Sequence, residues 1–175
     1  MASVRDAKPR VKAGDFEPRG PAAGLGCDED LVTAKEHLVA SRLNPYISFS
    51  GNAREAMEFY QSVFGGTLTT STFGEFGMAE SEIADQIMHS QLETDSGYVL
   101  MCADTPPGMP YSPGGAITVS LSGDDGHELR GYWAKLSEGG EITTPLEKQM
   151  WGDEFGSLTD RFGVAWLVNI AQPQG

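Results

Sequence analysis

The chain has 175 residues with 12 Lys+Arg against 25 Asp+Glu, a formal net charge of −13. Residues 1–42 carry 7 basic and 7 acidic side chains, so the whole acidic excess lies in residues 43–175. An acidic domain repels phosphate backbones and anionic lipid, so neither nucleic acid nor a membrane surface is the expected partner. Hydrophobic residues at 39% can supply a core, and no run approaches the roughly 18 apolar residues that span a bilayer. No apolar segment of secretory type opens the chain. Cys27 lies in a polar stretch and Cys102 in an apolar one, which argues against a disulfide framework and for a reducing, cytoplasmic setting.

Residues 1–27 are rich in Pro, Gly, Ala and mixed charge, and residues 28–42 place Leu31, Ala34, Leu38 and Val39 on one helical face. Residues 1–42 therefore read as a disordered or weakly helical extension. The domain proper is expected over 43–175. Ile47 and Phe49 alternate with Tyr46, Ser48 and Ser50, the period of a half-buried strand. Asn52 with Glu55 three residues on reads as a capping box, and Ala53, Ala56, Met57, Tyr60 and Phe64 form the apolar stripe of the helix that follows. Gly65-Gly66 stops it. Strands are expected at 67–73, 86–93 and 98–103, with Asp95-Ser96-Gly97 as a hairpin turn and an irregular loop at 74–85.

The segment DTPPGMPYSPGG at 104–115 contains four prolines and three glycines, which exclude regular structure and mark a boundary. Beyond it the pattern starts again. Residues 116–140, AITVSLSGDDGHELRGYWAKLSEGG, repeat the strand, polar turn, amphipathic helix and Gly-Gly stop of NPYISFSGNAREAMEFYQSVFGG at 44–66. Ile117, Val119 and Leu121 read as one strand face, and Leu129, Tyr132, Trp133 and Leu136 as the inward face of a helix near 125–138. Further strands are expected near 141–148, 154–160 and 164–170, the last after the turn Asp160–Gly163. A repeat of roughly 70 residues with one helix per four strands argues for α+β rather than a doubly wound fold. The expected architecture is two βαβββ half-domains, with curved mixed sheets around a pocket and helices on the outer face.

The stretches at 44–66, 86–104 (QIMHSQLETDSGYVLMCAD) and 150–170 (MWGDEFGSLTDRFGVAWLVNI) resemble the vicinal oxygen chelate superfamily of glyoxalases, bleomycin-resistance proteins and extradiol dioxygenases. More narrowly, they resemble its PhnB-like branch. The resemblance covers about residues 43–171 and implies paired half-sheets and a homodimer. In metal-dependent relatives it also implies four ligands, one on each of four strands. Those positions fall at Asn44 or Pro45, within Val99–Cys102, near Ala116 and near Leu167, and none is His, Asp or Glu. No cofactor is therefore expected and no residue is assigned to a metal, while a divalent metal held elsewhere stays open. No Gly-rich turn follows a strand, so a Rossmann-type methyltransferase is not expected.

His89 is the one histidine on the expected domain strands, on a face with Ile87 and Gln91. It is the best candidate for an acid–base role, the role to which the histidine side chain as a type is suited. The expected ligand pocket is Tyr46, His89, Met101, Thr118, Ser120 and Trp151. The leading functional expectation is a metal-free protein that binds an unknown small molecule. Two alternatives stand beside it. One is a glyoxalase-like lyase, isomerase or dioxygenase with a relocated metal or with His89 as acid/base; the other is a protein-interaction or regulatory module.

Overall fold

The computed structural model describes residues 41–172; the reading of residues 1–42 as an extension falls almost wholly outside them. The first half runs β1 (Tyr46–Phe49), α1 (Ala53–Phe64), β2 (Thr67–Thr72), a 3-10 turn at Gly74–Phe76, β3 (Ile87–Glu93) and β4 (Val99–Asp104). The second runs β5 (Val119–Gly123), α2 (Gly126–Leu136), β6 (Glu141–Lys148), β7 (Glu154–Thr159) and β8 (Ala165–Ile170). The first half forms a sheet ordered β1-β4-β3-β2 and the second a sheet ordered β5-β8-β7-β6. In each, the first and last strands pair in parallel and the other pairs are antiparallel. The repeat in the sequence is thus a repeat of topology: two mixed sheets, each with one helix.

The helices lie where their apolar stripes require. Every expected stripe residue of α1 is buried, with Phe59 and Val63 widening the stripe. On α2, Leu129, Tyr132 and Leu136 are buried, and Trp133 is half-buried against the core. Along β4 and β8 every second residue is buried, so one face of each sheet meets the core and the other stays open. One aromatic cluster joins the halves: Phe64 meets Tyr132 at 4.9 Å between ring centroids, and Tyr60 meets Trp166 at 5.7 Å. Lys135 at the end of α2 adds a hydrogen bond to the carbonyl of Ser62 near the end of α1, at 2.7 Å. Two glycines are required by close approach. A Cβ on Gly66 would stand 2.2 Å from the Glu93 carbonyl oxygen, and one on Gly156 2.8 Å from the Trp133 ring.

Two buried carboxylates organise the turns. Asp160 accepts from the Phe162 and Val164 amides at 2.9 and 3.0 Å, from the Tyr60 hydroxyl at 2.7 Å and from the Trp166 indole N–H at 2.9 Å. Burial, and next the Asp160 charge, hold the Tyr60 phenol well above its ordinary value. Asp104, at the end of β4, accepts from the amides of Gly51, Ala53 and Ile87 at 2.8, 3.0 and 2.9 Å.

Asp104 corrects one expectation. Asn52 stands at the N-cap of α1 but makes no side-chain cap bond. The buried amide at Ala53, without a partner inside the helix, is satisfied instead from β4, a partner 51 residues away that no local pattern reveals. His89 corrects a second. Ser90 and Leu92 are buried while His89 and Gln91 are half-buried, yet Ile87 is fully buried. The pairing with β2 skips Met88, with His89 opposite Ser71 and Ile87 opposite Thr72. That bulge shifts the alternation by one residue, so Ile87 leaves the His89 face and joins the core. Ile117 is the third: it lies before β5 and is 83% exposed rather than part of the strand's buried face.

Candidate functional site

The open face of the first sheet carries the polar residues of its strands. Cross-strand register aligns Tyr46, Met101, Gln91 and Thr69 in one row, with His89 beside Ser71 one step away. Tyr46 Oη lies 3.4 Å from His89 Nδ1, and the two rings stack at 5.9 Å between centroids with 26° between planes. Burial, and next the neighbouring Cys102, raise the Tyr46 phenol above its ordinary value, so it stays a neutral hydrogen-bonding group. The open face of the second sheet is also polar. Thr143 and Ser157 hydroxyls meet at 2.8 Å, and Asn169 donates to Asp153 at 3.0 Å.

Between the free edges of β1 and β5 lies a cleft of about 750 Å³. One wall is residues 43–49, the second is 117–120, the third is Tyr111–Gly114 of the Pro/Gly segment, and Phe162–Ala165 closes one end. No lining residue is Lys, Arg, His, Asp or Glu. A smaller cleft of about 260 Å³ lies among residues 43–45 before β1, the start of β4 and β5, and reaches Phe64 and Trp166.

Of the residues expected in a pocket, Tyr46, Thr118 and Ser120 line the larger cleft. His89 reaches it only through Tyr46, and Met101 stands beside Tyr46 across the β1–β4 pair. Trp151 is apart from both clefts. It is 60% exposed in the β6–β7 turn and packs against Phe155 at 6.1 Å. Phe162, which the sequence offers with Trp151 and Trp166 as an aromatic wall, lines the cleft, whereas sequence reasoning missed Tyr111 and Val164. Tyr111 carried a signal, being the one aromatic in the Pro/Gly segment; Val164 had none.

A divalent cation of the kind superfamily resemblance implies needs several lone pairs converging from β1, β4, β5 and β8. The open faces of those strands offer Tyr46 and Ser48, then Val99, Met101 and Ala103, then Ser120 and Ser122, then Ala165, Leu167 and Asn169. None supplies imidazole or carboxylate. Cys102 faces the core, where burial, and next Asp104, push its thiol up to about 12, so it is not a thiolate ligand. These residues do not fit the cation. Among the described residues, no group of three His, Cys, Asp or Glu is placed to hold a metal ion, and no helix is long and apolar enough to cross a membrane.

Comparison with known proteins points the same way as the architecture. The family model described as 3-demethylubiquinone-9 3-methyltransferase matches residues 41–169. The crystal structure of protein PA1353 from Pseudomonas aeruginosa is 38% identical, with a TM-score of 0.69, covering 76% of this chain and 99% of that one. The PhnB protein from Bacillus cereus is 25% identical, with a TM-score of 0.59, over 75% of this chain and all of that one. Protein YjdN of Escherichia coli (strain K12) is 28% identical over 144 residues, 75% of this chain and 97% of the relative. Its fold is also that of a glyoxalase/bleomycin resistance protein/dioxygenase family enzyme from Burkholderia phytofirmans, 12% identical with a TM-score of 0.50 over 73% of this chain and 97% of that one. The chain belongs to the family described as 3-demethylubiquinone-9 3-methyltransferase, to which the similar PhnB protein is also ascribed.

Proposed function

We propose that the domain binds a small, uncharged or cationic, largely apolar molecule in the cleft between β1 and β5. The half-sheets form the flanks of the pocket, and Tyr46 with His89 supplies polar contacts at one rim. The observation that carries this reading is a cleft of about 750 Å³ with no charged side chain in its lining, in a chain of net charge −13. Ligand sites of this kind are mostly apolar, about 300–1,000 Å³ in volume, with a few placed polar groups. Here those groups are Asn44, Tyr46, Tyr111, Thr118 and several serines. An anion would gain no partner in the cleft and would meet the repulsive field of the acidic domain.

The family's name refers to methyl transfer. The two mixed sheets offer no parallel, doubly wound platform with a Gly-rich turn for a Rossmann-type cofactor. Binding is the reading that the cleft supports. Homodimeric assembly and a cytoplasmic location belong to the same proposal. Light scattering should give twice the mass of one chain, and the mass of a single chain would count against the dimer.

A thermal-shift series with neutral, cationic and anionic aromatic compounds tests the binding reading. A ligand at 100 times its Kd adds about 2.7 kcal/mol, so neutral or cationic compounds should raise Tm by several degrees. Stabilisation by anions alone would contradict it. A second reading, acid–base catalysis, is favoured by one observation, the Tyr46–His89 contact at 3.4 Å. Loss of a measured turnover in His89→Ala, with unchanged stability and no metal in the purified protein, would support it.

A further inference from the structure

Each sheet has an outer and an inner edge, and the two are built differently. The outer strands are β2 and β6. The register of β2 breaks between Ser71 and Thr72. That of β6 breaks twice, and β6 also carries Pro145, Glu141, Glu147 and Lys148. Bulges, proline and charge are the usual means by which an edge is kept from pairing with another chain. The inner strands β1 and β5 have none of them. Their registers are regular, and YISF and VSLSG contain neither charge nor proline.

The inner edges face the cleft with their main chains. The Met101 amide donates to the Pro45 carbonyl at 3.1 Å and the Thr105 amide to the Phe49 carbonyl at 2.7 Å. Odd-numbered residues of β1 therefore carry the ladder to β4, and the alternation of a parallel pair turns the N–H and C=O groups of Tyr46 and Ser48 outward. On β5, the bond from the Ala171 amide to the Gly123 carbonyl at 2.7 Å puts Ser120 and Ser122 in the same outward phase. Tyr46, Ser48 and Ser120 all line the cleft, and all of β1 lies along it. A purely apolar ligand would cover these amides without satisfying them, leaving a desolvation cost on each.

We propose that the cleft takes an uncharged, extended peptide-like molecule that adds as a strand along the free edge of β1, with Tyr46 and Ser48 donating and accepting main-chain hydrogen bonds. This rests on the reading that the cleft is a ligand site, and it names the ligand's chemistry: alternating amide groups flanked by small or β-branched apolar substituents. Strand addition of this kind draws affinity from main-chain bonds and specificity from the pockets for alternate side chains. Here those contacts fall to Tyr111 and the Phe162–Ala165 turn. The absence of charged lining disfavours an acidic peptide, because a buried anion would find no partner there and would meet the field of the acidic domain.

The test uses the full chain and three probes: acetyl-Val-Thr-Val-Thr-Val-amide, the same peptide N-methylated at alternate residues on its pairing edge, and 2-naphthol as a neutral compound without amides. Binding is followed by NMR titration together with amide hydrogen exchange. The expected result is that the unmethylated peptide binds and slows exchange at Tyr46 and Ser48, and that N-methylation weakens it about tenfold or more, as loss of two main-chain bonds requires. Ser48→Pro removes an outward N–H at an edge position where proline is tolerated, and should weaken the unmethylated peptide. Equal binding of the two peptides, or no slowing at Tyr46 and Ser48, would overturn the proposal. Cleft shifts with 2-naphthol and none with the peptide would overturn the strand addition while leaving the small-molecule reading intact. Silence from all three probes would remove both.

Discussion

Replacing Asp160 by Asn changes one atom and should cost the fold heavily. The carboxylate is 4% exposed and accepts four hydrogen bonds, two on each oxygen. An Asn oxygen can keep the Phe162 and Val164 amides. Its amide nitrogen then faces the Tyr60 hydroxyl and the Trp166 indole. The hydroxyl can rotate to accept, but the indole N–H is only a donor and is left without a partner. Trp166 is 1% exposed, so water cannot replace the lost acceptor. A hydrogen bond to a charged group contributes about 1.5–3 kcal/mol, and an orphaned buried donor costs about 1–3 kcal/mol. Together these give a loss of about 3 kcal/mol, or roughly 10 °C in Tm for a domain of this size. Denaturant unfolding followed by tryptophan fluorescence measures it. A double-mutant cycle with Tyr60→Phe should show coupling, since both changes act on the same oxygen. An Asp160→Asn protein within about 0.5 kcal/mol of the parent, the range of surface substitutions, would refute the account of Asp160 as the organiser of this turn.

Asp104→Asn should cost about 2 kcal/mol by setting an amide donor against the Ile87 N–H. Unchanged denaturant stability would show that the Ile87 bond to Asp104 contributes nothing to the fold. Alkaline pH should destabilise the protein through Cys102, whose folded pKa is raised. The unfolded thiol loses its proton first, so stability is fully present below the ordinary thiol pKa and falls above it, by up to about 1.4 kcal/mol per pH unit, until the folded value near 12 is reached. Cys102→Ala should therefore flatten the loss between roughly pH 9 and 11, and parallel pH profiles for the two proteins would contradict this. Tyr46→Phe and His89→Gln should leave denaturant stability within about 0.5 kcal/mol. Each should raise the Kd of a cleft ligand about fivefold, the equivalent of one net hydrogen bond; unchanged affinity in calorimetry would place the ligand elsewhere.

The sequence carried the architecture because period and punctuation agree in each half. Ala53 to Phe64 has a helical stripe bounded by Gly65-Gly66, and the strands near β4 and β8 alternate cleanly. It failed where a distant partner or a register shift decides the outcome. Asn52 has the right local chemistry for a cap, yet Asp104 satisfies the amide from another strand. His89 and Ile87 have the right spacing to share a face, yet the skipped Met88 separates them. The site was legible in part for the same reason. Tyr46 and Ser120 follow from strand alternation, whereas Tyr111 and Phe162 reach the cleft through the paths of a loop and a turn, which periodicity does not encode.

The central claim is that the cleft between β1 and β5 is where the ligand sits. Ser120→Trp tests it most directly, because Ser120 is exposed on β5 and its side chain can grow into that space without entering the core. The measurement is the Kd, by calorimetry, of any compound that stabilises the parent protein, read beside the Tm of the unliganded variant. The account predicts an unchanged Tm and a loss of affinity of at least about a hundredfold, equal to some 2.7 kcal/mol of lost contact. Retained affinity in a variant that folds normally would contradict it.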